Sequence, residues 1–281
     1  MTAGTWRSFR TAAWLGWQIE SNWADPFLFA VYSIVKPLAM AGILVVMYGI
    51  VTGGRFESPA FAYLYLGNAF YMYVGAVMTG VAYAVIDDRE RYRTLKYVYV
   101  APIDIRLYLI GRAAARVLTG TAAVAVTIAA GVLWLDLPVR LASVDWLLLG
   151  VSLAIGLVSL ALLGLALGGV VMQVAHQSWS VGEAVAGTLF LFSGAVFPLD
   201  VLPAWLRPIG FALPITYWLE LMRRALVGPG GFQTLAGFSD WQLLATLTAL
   251  TGVLAVLVRV TFRWCEHRAR ERGLIDRTTG Y

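Results

Sequence analysis

The stretch "WLLLGVSLAIGLVSLALLGLALGGVVMQV", residues 146–174, runs for 29 positions without a charged side chain. A helix needs about 20 residues to cross roughly 30 Å of hydrocarbon, so this segment is long enough to span a bilayer. The rest of the chain has the same character: 281 residues, 60% hydrophobic and 13% charged, with a mean hydropathy of +0.75. An ordinary soluble domain is roughly 45–50% apolar and about 25% charged. So little polar surface cannot cover so much apolar volume, and lipid must be the solvent.

Working outward from Trp146–Val174, five more segments meet or approach the required length. They are Phe27–Val51, Phe61–Ile86, Val117–Leu135, the shorter Ala184–Phe197, and Trp241–Phe262. The expected fold is an all-α integral membrane protein with six transmembrane helices. An N-terminal amphipathic interfacial helix occupies residues 1–26, the transmembrane domain 27–262 and a basic tail 263–281. No short apolar region with a small-residue cleavage site precedes Phe27, so the first span is expected to be its own insertion signal.

Lysines and arginines orient the chain. With the N terminus inside, one side carries Arg7, Arg10, Lys36, Arg89, Arg91, Arg93, Lys96, Arg106, Arg112, Arg116, Arg259, Arg263, Arg268, Arg270, Arg272 and Arg277. These are sixteen of the 21 basic residues, and only Arg55, Arg140, Arg207, Arg223 and Arg224 fall on the other side. Both termini are therefore expected in the cytoplasm, in a bacterial inner membrane. Lys36-Pro37 interrupts the first span. Either Lys36 snorkels and the span begins at Pro37, or its charge faces a central pathway. No fixed-period repeat or inverted similarity between the halves is visible, which weakens a secondary-transporter reading.

Two elements on the basic side invite a partner. In residues 1–25, Trp6, Phe9, Ala13 and Trp17 fall on one helical face, fitting an interfacial anchor or a lever moved by a soluble protein. Residues 87–103, "DDRERYRTLKYVYVAPI", pack Asp87, Asp88 and Glu90 among Arg89, Arg91 and Arg93 before Pro102 ends the helix. A loop that only sets topology needs basic residues, so mixed charge points to a docking helix, against the plainer reading of a solvated loop. Charge reversal at the three arginines is expected to abolish docking.

On the opposite side, residues 196–214, "VFPLDVLPAWLRPIGFALP", hold Pro198, Pro203, Pro208 and Pro214, and proline inside a helix costs about 3 kcal/mol. With Trp205, Ile209, Phe211 and Trp218 the segment stays apolar yet too broken to span. It must lie at the outer leaflet or dip back into the protein, where irregular backbone can be satisfied. A lid over an exit is the functional reading. Glu220 and Arg224, at i and i+4, can pair on the helix that follows.

Residues 190–226, "FLFSGAVFPLDVLPAWLRPIGFALPITYWLELMRRAL", resemble the C-terminal signature of the ABC-2 type transporter permeases. The matching positions are Ser193-Gly194, Phe197-Pro198, Leu202-Pro203 with Trp205, Leu213-Pro214, and Arg223 or Arg224. Residues 87–102 are similar to the family's cytoplasmic loop, with Thr94-Leu95 leading to Pro102, although Tyr92-Arg93 stands where a glycine is common. The resemblance implies a permease that pairs with a second copy or a homologous permease, and with two separate ATPase subunits that hold ATP and magnesium. It also implies a coupling helix at 87–101, carrying Asp88, Arg89, Glu90, Arg91, Arg93, Thr94 and Leu95. The broken segment around Pro198–Arg224 would form external helices.

The chain lacks a G-x-x-x-x-G-K-[ST] phosphate loop, and H-E-x-x-H and G-x-S-x-G patterns are also missing. No ATPase chemistry, cofactor or nucleic-acid partner is therefore expected. His176, His267 and Cys265 are too scattered to ligate zinc. Glu183 is either a proton or substrate carboxylate or, more plainly, a helix cap or arginine partner. Tyr63, Asn68, Phe70, Tyr71 and Tyr83 of the second span either line a cargo path or form an interfacial belt and packing. The leading expectation is an ABC exporter of amphipathic, drug- or lipid-like compounds; alternatives are a polysaccharide or lipid-linked glycan exporter, an ion-coupled transporter, or a membrane scaffold.

Overall fold

The computed structural model describes residues 3–21, 25–101, 103–174, 178–229 and 233–275, and helix is the only regular secondary structure among them. Pro102, His176 and Arg277 lie outside the described residues.

Local chemistry sets the helix ends. α1 covers Ala3–Ser21. α2 (Pro26–Thr52) opens with Pro26, and the Asp25 carboxylate accepts the Phe27 N–H at 2.8 Å; proline is suited to a first turn whose N–H would lack a partner anyway. Gly53, at φ 67°, closes it in the left-handed conformation. The helix continues through Lys36-Pro37 without a break. Lys36 is exposed, with its ammonium 5.2 Å from the Tyr32 ring centroid.

α3 runs from Pro59 to Arg91, well past the expected end at Ile86, and contains two π-helical turns, Val74–Met78 and Asp87–Arg91. α4 (Leu95–Val100) is short. α5 (Ile105–Trp134) is capped by Asp104 and begins three turns before the expected Val117, so Arg106, Arg112 and Arg116 belong to the helix. α6 covers Trp146–Gln173 and α7 Ser178–Phe192. The proline-rich stretch follows as a 3₁₀ turn at Leu199–Val201, α8 (Arg207–Phe211) and α9 (Pro214–Val227). α10 (Gln233–Ala236) leads into α11 (Asp240–Glu271), which starts with a capping box of Ser239 and Gln242.

Five helices, α2, α3, α5, α6 and α11, are long and apolar enough to cross a membrane. α7 has 15 residues, about 22 Å at 1.5 Å per residue, which is short of a full crossing.

α3 is the central span. It is buried along most of its length, between α5, α6, α7 and α9, while α2 stays peripheral and largely exposed. α6 packs along α11, α3 and α9. Its approach to α9 requires a missing side chain: a Cβ on Gly156 would collide with the Trp218 indole, which is itself fully buried.

Two elements pack more deeply than an interfacial position alone would require. α1 lies against α5 rather than only on a lipid surface. Ala12 and Gly16 are buried in the contact, the Phe9 and Ala13 backbone lies beside Gly111, and a Cβ on Gly16 would sit 2.5 Å from the Arg112 carbonyl oxygen. Glu20 closes the contact 3.5 Å from Arg116, and Trp6 and Trp14 remain exposed. Every residue of α9 from Pro214 to Leu226 is buried. Of the two sequence-level options for the broken segment, this part dips into the protein.

Candidate functional site: the coupling end and the face of α3

The mixed-charge run divides into an inward and an outward half. Asp88 is fully buried; its carboxylate accepts from Arg112, from the Tyr108 hydroxyl at 2.9 Å and from the Thr94 hydroxyl at 3.4 Å. Arg89 is buried as well, donating to the Val171 carbonyl at 3.2 Å and pairing with Glu90 at 2.7 Å, while its Nε has no hydrogen-bond partner. Charges this deep persist because they are paired; in an apolar setting each alone would be costly. These two residues therefore fasten the end of α3 to α5 and α6, and are not available to a docking protein in this conformation. The expected reversal of Arg89 would break the fold before it tested docking.

Beyond Arg91 the chain turns sharply. Arg93 has φ 53°, a left-handed conformation that costs most residues but not glycine. The Thr94 amide donates to the Asp88 carbonyl at 2.8 Å, tying the turn to the ion-pair network.

α4 is amphipathic over a single turn and a half. Leu95 is buried, and Tyr99 faces the same way, 3.7 Å from the Met172 sulfur and under the Arg270 guanidinium at 4.7 Å. Burial pushes the Tyr99 phenol up from its ordinary pKa, with Glu266 adding to the rise, so the group stays neutral. The Asp104 carboxyl at the next cap is held below the usual range: partial burial works against this, but hydrogen bonds from Arg106 win. The opposite face of α4 is open. Val100 is 86% exposed and Tyr97 66%, beside exposed Arg91, Tyr92, Arg93 and Lys96.

The five residues expected along a cargo path do not converge on one cavity. Tyr63 stacks beneath the Arg223 guanidinium at 3.5 Å, and its carbonyl accepts from Arg223 Nε at 3.0 Å. Phe70 is buried edge-on against Trp218. Tyr71 donates to the Ala186 carbonyl, and Tyr83 to the Glu183 carboxylate at 2.6 Å, so both fasten α3 to α7. Glu183, exposed at the start of α7, thus pairs with a tyrosine rather than an arginine. Asn68 is half-exposed, but its Nδ2 is buried without a hydrogen bond.

The proline-rich segment also divides. Pro203, Trp205 and Pro208 are exposed at its tip, and Pro198 lines a small cleft with Tyr63 and Glu220. Pro214, Glu220 and Arg224 are buried in α9. Glu220 and Arg224 pair at 3.0 Å, and Arg224 goes on to Asp240 at 2.9 Å and to the Leu235 and Phe238 carbonyls, holding α10 and the start of α11. Arg223 performs the same service for the end of α7, donating to the Gly194 carbonyl at 2.7 Å. The role of Arg223, the Asp88–Arg112–Tyr108 network and the docking of α1 are not apparent from sequence. The available signals are an arginine inside the apolar run of α5 and the small pair Ala12 and Gly16 opposite Gly111. Among the described residues no cluster of three or more metal-ligating side chains occurs.

These features define a multi-pass helical membrane protein whose short α4 is anchored on one side and exposed on the other. Residues 8–227 match the ABC-2 type transporter family, and the chain belongs to that family. It is accordingly a membrane subunit of an ABC transporter, the permease component that works with ABC ATPase partners. No curated protein matches the chain.

Proposed function

We propose that this permease docks two cytoplasmic ATPase subunits, which bind ATP and magnesium, and pairs with a second permease to export an amphipathic or hydrophobic compound by alternating access. The observation that carries this reading is the outward face of α4, where Tyr97 and Val100 stand exposed beside Lys96. Behind that face, Leu95 and Tyr99 are anchored on α6 and α11. A push on α4 therefore reaches the spans directly. The Thr94–Asp88–Arg112 linkage passes the same displacement to α3 and α5. The aromatic side chains of α3 that bond to α7, Tyr71 and Tyr83, offer faces that suit a flat amphipathic cargo.

The coupling assignment is tested by co-isolation with an ABC ATPase from the source cells. Tyr97→Ala with Val100→Asp should remove most of the co-isolated ATPase, whereas Trp205→Ala, at the far tip, should leave it unchanged. Wild-type recovery with the double variant would refute the docking face. For cargo, substrate-stimulated ATP hydrolysis by the reconstituted complex is compared across lipids, drugs and oligosaccharides. Stimulation by oligosaccharides alone would replace the amphipathic reading with a glycan one.

A further inference from the structure

The end of α11 remote from Ser239 carries a feature that neither packing nor coupling uses. Leu243, Leu247, Thr251, Val258, Phe262, Cys265 and Ala269 form the buried stripe of this helix. On the other side, Val253, Val256, Leu257 and Val260 present an exposed apolar surface to lipid. Arg259 and Arg263 are exposed within that surface, and neither has a carboxylate or carbonyl partner among the described residues. The nearby acids are committed elsewhere: Glu266 to Arg270 at 2.6 Å and Glu271 to His267 at 3.1 Å. Trp264, 57% exposed, follows one residue on, with the Arg268 guanidinium 5.1 Å from its ring centroid.

Depth makes the pair significant. Trp241, 78% exposed at the other end of α11, marks one membrane interface. About 20 residues later the helix has crossed the hydrocarbon, which puts the second boundary near residue 261. Arg259 and Arg263 bracket that boundary, with Trp264 at headgroup level. Four residues apart on a helix, they are about 6 Å apart along the axis and about 40° apart around it. Two guanidinium forks so placed can close on one phosphate, while the valines above offer a track for acyl chains.

We propose that Arg259, Arg263 and Trp264 form a binding site for the phosphate of an anionic diacyl phospholipid, in the leaflet nearest the chain's C-terminal end. Lipid binding at this site is independent of export and has its own readout.

The test is native mass spectrometry of the full-length protein in detergent, with phosphatidylglycerol and phosphatidylcholine of matched chains added in equal amounts. The wild type should retain phosphatidylglycerol preferentially, less so as salt is raised. R259Q/R263Q should cut that preference roughly thirtyfold, at about 1 kcal/mol per arginine, and R259K/R263K, which keeps the charge but loses the fork, should fall between the wild type and R259Q/R263Q. R7Q/R10Q, removing the exposed pair on α1, should leave it intact. An unchanged preference in R259Q/R263Q, a loss confined to R7Q/R10Q, or no preference in the wild type would overturn the site. Displacement of the lipid by inorganic phosphate would overturn the assignment to a phospholipid.

Discussion

At Asp88 and Arg112 the protein keeps two opposite charges almost wholly out of water. Removing one partner of such a pair leaves the other buried and uncompensated, at a cost of about 3–5 kcal/mol. Arg112→Gln or Asp88→Asn alone should therefore lower the thermal unfolding midpoint in detergent sharply. The double variant should recover much of the loss, since its two neutral side chains can bond each other. If the double variant were as damaged as the sum of the singles, the pair would not be acting as a unit. Arg93 makes the opposite case. Its φ of 53° costs a non-glycine residue roughly 1–2 kcal/mol, against about 0.5–1 kcal/mol of added unfolded-state entropy for glycine. Arg93→Gly should raise stability by about 0.5–1 kcal/mol, and Arg93→Val should lower it, both read as shifts of the same midpoint.

Individual helices show where sequence reading succeeds and where it stops. Trp146–Val174 is legible because an uncharged apolar run of that length has one physical outcome, and α6 duly covers Trp146–Gln173. Asp145 and Ser239 cap the starts of α6 and α11, a signal that a hydropathy reading does not use. The inner ends of α3 and α5 escape a hydropathy reading because hydropathy stops at the first cluster of charges, whereas a helix continues wherever those charges can pair. Asp88 and Arg112 pair in this way across two helices, and no one-dimensional pattern reveals it. The packed face of α1 is hidden for a related reason. Large aromatic residues dominate the apparent apolar face of a short helix, yet the close approach to α5 depends on what is absent at Gly16 and Gly111. Gly16→Leu should accordingly detach α1 from α5. A cysteine placed at Ala12, 2% exposed in the native packing, would then react rapidly with maleimide, while in the Gly16 background it should stay protected. Equal reactivity in both would mean that α1 is not held by this contact.

For the molecule as a whole, the decisive quantity is the parity of membrane crossings, and α7 determines it. Between Tyr97 on α4 and Trp205 at the proline-rich tip lie α5, α6 and α7. The first two are long enough to cross; α7, with 15 residues, falls short by helix length alone. Its C-terminal end, however, does not stop in open lipid. Gly194, at φ 73°, turns the chain, and Arg223 captures the Gly194 and Ala195 carbonyls from within the protein. Irregular backbone so satisfied can lie at membrane depth and complete a crossing that the helix alone cannot. We therefore expect an odd number of crossings between Tyr97 and Trp205, hence six in total. Single cysteines at Tyr97, Trp205 and Trp264, all exposed, introduced into a Cys265→Ser background, report this with a membrane-impermeant maleimide on sealed cells. Trp205→Cys should label from outside, while Tyr97→Cys and Trp264→Cys should label only after permeabilisation. Labelling of Trp205→Cys and Tyr97→Cys from the same side would mean that α7 enters and leaves by one face. In that event the broken segment would sit on the ATPase side, and alternating access past α7 would have to be abandoned.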